Sequence, residues 1–100
     1  MAASNTLFAL FAVGNSTLVQ ERLESLSPGL SLPVGGAGGS QWLIITPSSV
    51  TTKELSDKLG LTKEAGGTGI LVRVENYWGN ANKSIWEWII AKMEVPFDAA

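Results

Sequence analysis

Hydroxyls, carboxylates and a cluster of aromatic and amide groups are the side chains in this sequence with chemistry to offer. Ser48-Ser49 and Thr51-Thr52 could serve as nucleophiles, but a hydroxyl needs a base to take its proton. The chain has no histidine, and no lysine follows a serine at Ser-x-x-Lys spacing. Capping accounts for Thr51, because Glu54 follows three residues on and Val50 and Leu55 occupy the staple positions. The carboxylates Glu21, Glu24, Glu54, Asp57 and Glu64 fall on helix faces or loops near lysines, the pattern of a solvated surface. The absence of cysteine as well as histidine removes thiolate nucleophiles, disulfides and the usual zinc ligands, so no cofactor and no metal is expected. The glycine run at 35–39 lacks the Gly-Lys-Ser/Thr ending of a phosphate loop, and no helix opens directly behind it. It reads as a flexible hairpin connection.

The stretch from Glu75 to Ile90 is the most informative. It holds three of the four tryptophans and the only tyrosine. Such rings carry large apolar area with a polar handle, so their clustering marks a core closure or a contact surface. The candidate interaction surface is Tyr77, Trp78, Asn80, Asn82, Trp86 and Trp88, with the asparagines offering amide hydrogen bonds. Core and dimer packing is the plainer reading of these rings. A partner pocket is the functional one, and base stacking is a further use of such rings.

One hundred residues make a single domain, 1–100, with a core over about 6–93, and suffice for a core without a metal or disulfide. Hydrophobic residues make up 45% of the chain and charged residues 16%, the latter well below the usual quarter. A thin charge coat leaves apolar surface for a partner to cover, so a homo-oligomer, a dimer, or a protein partner is expected. The net charge of −2 and the scattered lysines and arginines give no basic field to recruit nucleic acid. The apolar run Leu7–Val13 is too short to span a bilayer and no Lys or Arg precedes it, so no membrane association is expected and the cytoplasm fits.

Periodicity places the elements. Residues 6–13 form an uncharged apolar run suited to a strand buried on both faces. Thr17 with Gln20 suggests a capped helix over 17–26 with Val19, Leu23 and Leu26 as its stripe, stopped by Ser27-Pro28-Gly29. Leu30–Val34 contains Pro33 and suits an edge strand, while Gln41–Thr46 is a second central run. A helix then runs from the Thr51 cap to the Gly60 stop, followed by a loop and a strand over 70–77. Ser84 with Glu87 suggests a second capping box, for a helix over about 83–93. The order matches an α+β, ferredoxin-like βαββαβ sandwich with an additional C-terminal helix, in which strands one and three are central. The uncharged runs fall on those two strands, and Pro33 and the Arg73/Glu75 pair fall on the outer two. The apolar arc of the last helix is too wide for one surface, so one side would pack on the sheet and the other face a second subunit.

Three segments carry a family resemblance: Gln41–Thr46, then Val50–Leu59, then Gly69–Val74. They resemble the small ferredoxin-like proteins of CRISPR adaptation and their toxin-like relatives. In those, a strand bearing Trp leads to a Thr/Ser-capped helix and an edge strand. The resemblance covers about residues 7–76 and implies a homodimer, with nucleic-acid contact or metal-dependent nuclease activity in some members. The nuclease depends on an acidic residue ending the first strand. Here that place reads Phe11-Ala12-Val13-Gly14-Asn15, without the carboxylate a hard cation needs, so nuclease activity does not carry over. A nucleic-acid-associated protein of this type, degenerate in nuclease activity, is the alternative to a non-catalytic interaction protein.

Overall fold

The computed structural model describes residues 5–14, 16–26, 30–35 and 40–93. It is α+β: one four-stranded antiparallel sheet and three helices, compatible with a ferredoxin-like fold. The elements are β1 (Asn5–Ala12), α1 (Ser16–Glu24), β2 (Leu30–Gly35), β3 (Gln41–Pro47), α2 (Thr52–Lys58), β4 (Gly69–Val74) and α3 (Lys83–Met93). Across the sheet the order is β2-β3-β1-β4. The two uncharged runs thus occupy the middle, where a strand loses water on both faces. The proline-bearing β2 and the charged β4 take the edges.

The side-chain period of two splits each strand between two faces. On one face lie Phe8 and Leu10 of β1 with Trp42 and Ile44 of β3. Val19 and Leu23 of α1 and Leu55 and Leu59 of α2 close over them in one buried cluster. Thr6 and Thr46, paired across β1 and β3, are buried as well, and Thr46 Oγ1 donates to Pro47 O at 3.2 Å.

The opposite face is built from three rows: Leu30–Ile45–Leu7–Val74, Leu32–Leu43–Ala9–Val72, and Gln41–Phe11–Ile70. α3 packs on this face within the same chain. Ile89 is its buried anchor, and the Asn5 side-chain amide donates to Lys92 O at 2.9 Å, which ties the last turn of α3 to the start of β1.

α2 is framed as its residues dictate. Thr51 Oγ1 accepts from Glu54 N at 3.1 Å, and Glu54 Oε1 accepts from Thr51 N at 3.2 Å. At its end Gly60 has φ +69, Gly60 N donates to Asp57 O, and Leu61 N donates to Ser56 O. Those paired bonds are a Schellman closure, for which glycine is the unstrained residue.

Four local expectations need correction. Thr17 is no cap: α1 already runs at Ser16, and Gln20 turns its amide to Glu24 Oε1 at 3.4 Å. Ser84 lies inside α3. The first ladder bond there runs from Trp86 N to Asn82 O, so Asn82 is the N-cap, a residue as suited to that place as serine. β4 ends at Val74 rather than at residue 77, because its pairing with β1 ends at Leu7↔Val74 and the chain then leaves the ladder. The end of β1 is not buried on both faces, since Phe11 is 43% exposed. The expected stop at Ser27-Pro28-Gly29 and most of the glycine hairpin lie outside the described residues.

Candidate functional site: an aromatic pocket beside an uncovered sheet face

After β4 the chain crosses toward α3, and this crossing builds the site. Tyr77 stacks on Trp86 with ring centroids 6.2 Å apart and planes 25° apart. Trp78 meets the same Trp86 ring at 6.2 Å, tilted by 52°. Both geometries fall in the favourable offset range for aromatic pairs. Beneath them is a pocket of about 310 Å³. Its apolar floor is Leu7, Leu43, Val74, Ile85 and Ile89, and Gly79, Asn80 and Ala81 form the rim.

Of the six residues singled out from the sequence, Tyr77, Trp78, Asn80 and Trp86 come together at this pocket. Asn82 is used as the start of α3. Trp88 is half-buried on α3 and does not line the pocket. Trp78 is the outlier, at 95% exposure. A tryptophan left in water forgoes the burial free energy a core would have gained.

Next to the pocket lies an apolar strip that the sequence did not reveal. Exposure rises along β4 away from α3: Val74 is half-buried, Val72 is 44% exposed and Ile70 62%. Along β1, Leu7 is buried, Ala9 is half-buried and Phe11 is exposed. Helix length explains the gradient. Eleven residues of α3 reach about 16 Å at 1.5 Å each. The eight residues of β1 extend about 26 Å at roughly 3.3 Å each. A helix anchored at Asn5 therefore leaves the far end of the face open. Comparing those two lengths was the signal available in the sequence.

Two further clefts among the described residues are structural. The groove between α1 and α2 holds Arg22, whose Nη1 donates to Leu59 O (3.2 Å) and Gly60 O (3.1 Å) and whose Nη2 donates to Ala65 O (2.9 Å). This guanidinium is committed to the carbonyls that end α2. In the loop after α2, Gly67 N donates to Gly60 O at 2.9 Å, and Ala65 N donates to Thr62 Oγ1 at 3.0 Å. Asp57 raises the Lys53 ammonium above its usual range, first through the hydrogen bond it accepts at 2.9 Å and then through its charge. Both groups face water on α2, so this is a surface pair. Among the described residues no cluster of three or more acidic groups is placed to hold a metal ion, and no helix is long and apolar enough to cross a membrane.

Comparison with protein-family models, with curated proteins and with solved structures gave no match to this chain.

Proposed function

We propose that this chain is a small non-catalytic interaction protein of ferredoxin-like βαββαβ topology, extended by α3, that works as a homodimer. The observation that carries this reading is the uncovered strip Phe11–Ile70–Val72 on the α3 side of the sheet. The strip lies along β4, an edge strand whose outer backbone groups have no strand neighbour among the described residues. Exposed apolar edges are otherwise blunted by charge or covered. Here the charges of β4 do not protect that face: Arg73 alternates with Val72 and so points to the other one.

Magnitudes show what the strip can do alone. Burying a whole exposed apolar side chain is worth about 1.5–3 kcal/mol, so finishing the burial of half-exposed ones is worth about 1 kcal/mol each. Three residues on each of two copies supply about 6 kcal/mol, within the roughly 4–15 kcal/mol that association costs in lost motion. The strip therefore supports a dimer only together with apolar surface beside it.

Light scattering across a concentration series tests the reading. The expected mass is twice that of the chain at high micromolar concentration. Val72→Asp should return it to one chain mass with an unchanged circular dichroism spectrum, because Val72 already faces solvent. A wild-type mass of one chain at every concentration removes the homodimer.

A further inference from the structure

We propose that two copies of the chain pair through β4, edge to edge and antiparallel, about a two-fold axis at Leu71, so that one sheet runs through both. This rests on the homodimer reading and specifies its contact. The two edges of the sheet differ. β2 contains Pro33, and its register with β3 shifts between Pro33 and Gly35. A proline and an irregular register are devices that keep an edge from adding a strand. β4 has neither: it contains no proline, and its pairs with β1 run unbroken from Leu7↔Val74 to Ala12↔Gly69. The direction of its backbone groups follows from one bond. Val13 N donates to Thr68 O at 2.9 Å, one step beyond Ala12↔Gly69 in the same register. Hydrogen-bonded pairs alternate along an antiparallel ladder. Ile70, Val72 and Val74 therefore bond to β1, and the N–H and C=O groups of Gly69, Leu71 and Arg73 point out from the edge.

This outward set fits a second copy of itself. A two-fold interface is isologous, so the edge must complement its own image. Gly69, Leu71 and Arg73 are symmetric about Leu71. With the axis there, Leu71 faces Leu71 and each Gly69 faces Arg73 of the other copy, which closes about six backbone bonds. An axis at Val72 closes only about four, and one at Arg73 sets the two guanidinium groups directly opposite, a destabilising pair. At Leu71 the charges are accommodated. Each Arg73 stands over Gly69, a position that cannot carry a side chain, since a Cβ there would meet Phe11 O at 2.7 Å. The two Arg73 positions lie about 13 Å apart along the ladder, beyond the roughly 8–10 Å over which salt leaves charges unscreened. On the strip face, Ile70 of each copy then stands beside Val72 of the other in the closer, non-hydrogen-bonded kind of pair. These residues are 62% and 44% exposed in the single chain. The two strips join side by side, each the apolar surface the other needs. An unrelated strand could take the backbone bonds, but only the chain's own edge brings the side chains that match them.

Cross-linking tests the register, because the chain has no cysteine of its own. Ile70→Cys and Val72→Cys are oxidised alone and after mixing. Both positions are exposed, so folding should hold. Residues directly opposite lie within disulfide reach. The mixture should give several times more product of two chain masses than either variant alone. Val72→Cys joining to itself as readily as in the mixture overturns the Leu71 axis. Light scattering tests the backbone. Arg73→Pro removes an outward N–H and leaves the bonds to β1 in place, whereas Arg73→Ala keeps that N–H. Arg73→Pro should weaken association about thirtyfold, through two bonds lost per dimer, with an unchanged circular dichroism spectrum. Arg73→Ala should stay within about twofold of wild type, as expected when an exposed side chain is removed. Equal affinities for the two variants, or a wild-type dimer with no cross-link in the mixture, overturn the edge pairing and leave the homodimer standing. A wild-type chain of one mass at every concentration removes both and leaves β4 to the strand of another protein.

Discussion

Arg22 shows how one side chain can look available for binding while serving the backbone. It sits in a groove with Glu21 and Lys58 nearby, yet its guanidinium serves three backbone carbonyls at and beyond the end of α2. Those carbonyls lack intrahelical donors, and a planar fork reaches several at once where an ammonium cannot. Packing around it is tight: a Cβ on Gly67 would meet Gly60 O at 2.5 Å. Arg22→Ala should therefore lower stability by about 1.5–3 kcal/mol, the range for hydrogen bonds to charged groups. Arg22→Lys should recover less than half of that loss. Gly67→Ala should cost about 1–3 kcal/mol, since the displaced neighbour is backbone and cannot rotate away. Urea denaturation reads all three, and none should change the mass of the proposed dimer. Equal stability of Arg22→Ala and wild type would mean that water satisfies those carbonyls just as well. None of this was legible in the sequence, where Arg22 is one cation on a helix and its partners lie 37 to 43 residues away.

At the scale of elements, local signals were legible where the chemistry is local. The Thr51–Glu54 box and the Gly60 closure involve neighbours in sequence, and α2 forms between them. The similar patterns at Thr17–Gln20 and Ser84–Glu87 misled because a hydroxyl three residues before an acid or amide also occurs inside a helix. At α3 the asparagine two positions earlier took the capping place. β4 was read too long for a different reason: the stacking of Tyr77 on Trp86 draws the chain off the sheet edge, a contact no strand periodicity reports. α3 offers a test that separates fold from interface. Ile89 is buried against the sheet, whereas Ile90 is 72% exposed and follows the pocket residue Trp86 by one turn on the same flank. Ile89→Ala should destabilise the fold by about 2–5 kcal/mol. Ile90→Ala should change stability by less than about 0.5 kcal/mol yet weaken the proposed dimer. Thermal melts and light scattering on the same two proteins check the split, and equal effects on both readouts would mean that α3 does not sit on the sheet in solution.

For the whole molecule, the middle of the sheet was legible because burial on both faces demands uncharged residues at consecutive positions, as in Leu7-Phe8-Ala9-Leu10 and Leu43-Ile44-Ile45. Which part of the second face stays open was not legible, because it depends on where α3 is anchored, and the Asn5–Lys92 bond setting that anchor joins opposite ends of the described chain. The same geometry decides what kind of association to expect. Three ion pairs, Lys53–Asp57, Arg73–Glu75 and Lys83–Glu87, use up three of the seven cations, and the net charge is −2. A surface with that balance offers a phosphate backbone no concentrated field of cations, so little counterion release is expected. Apolar contact responds in the opposite sense: excluded salts such as sulfate strengthen it. With no histidine in the chain, no side chain has its ordinary titration between about pH 5 and 8. Self-association should therefore tighten as sulfate is added and stay flat across that pH range, while labelled single-stranded DNA or RNA shows no anisotropy change at low salt. Nucleic-acid binding that falls steeply with added salt and is lost in Arg73→Ala or Lys83→Ala would reverse the assignment. It would make the tryptophan pocket a stacking platform for bases.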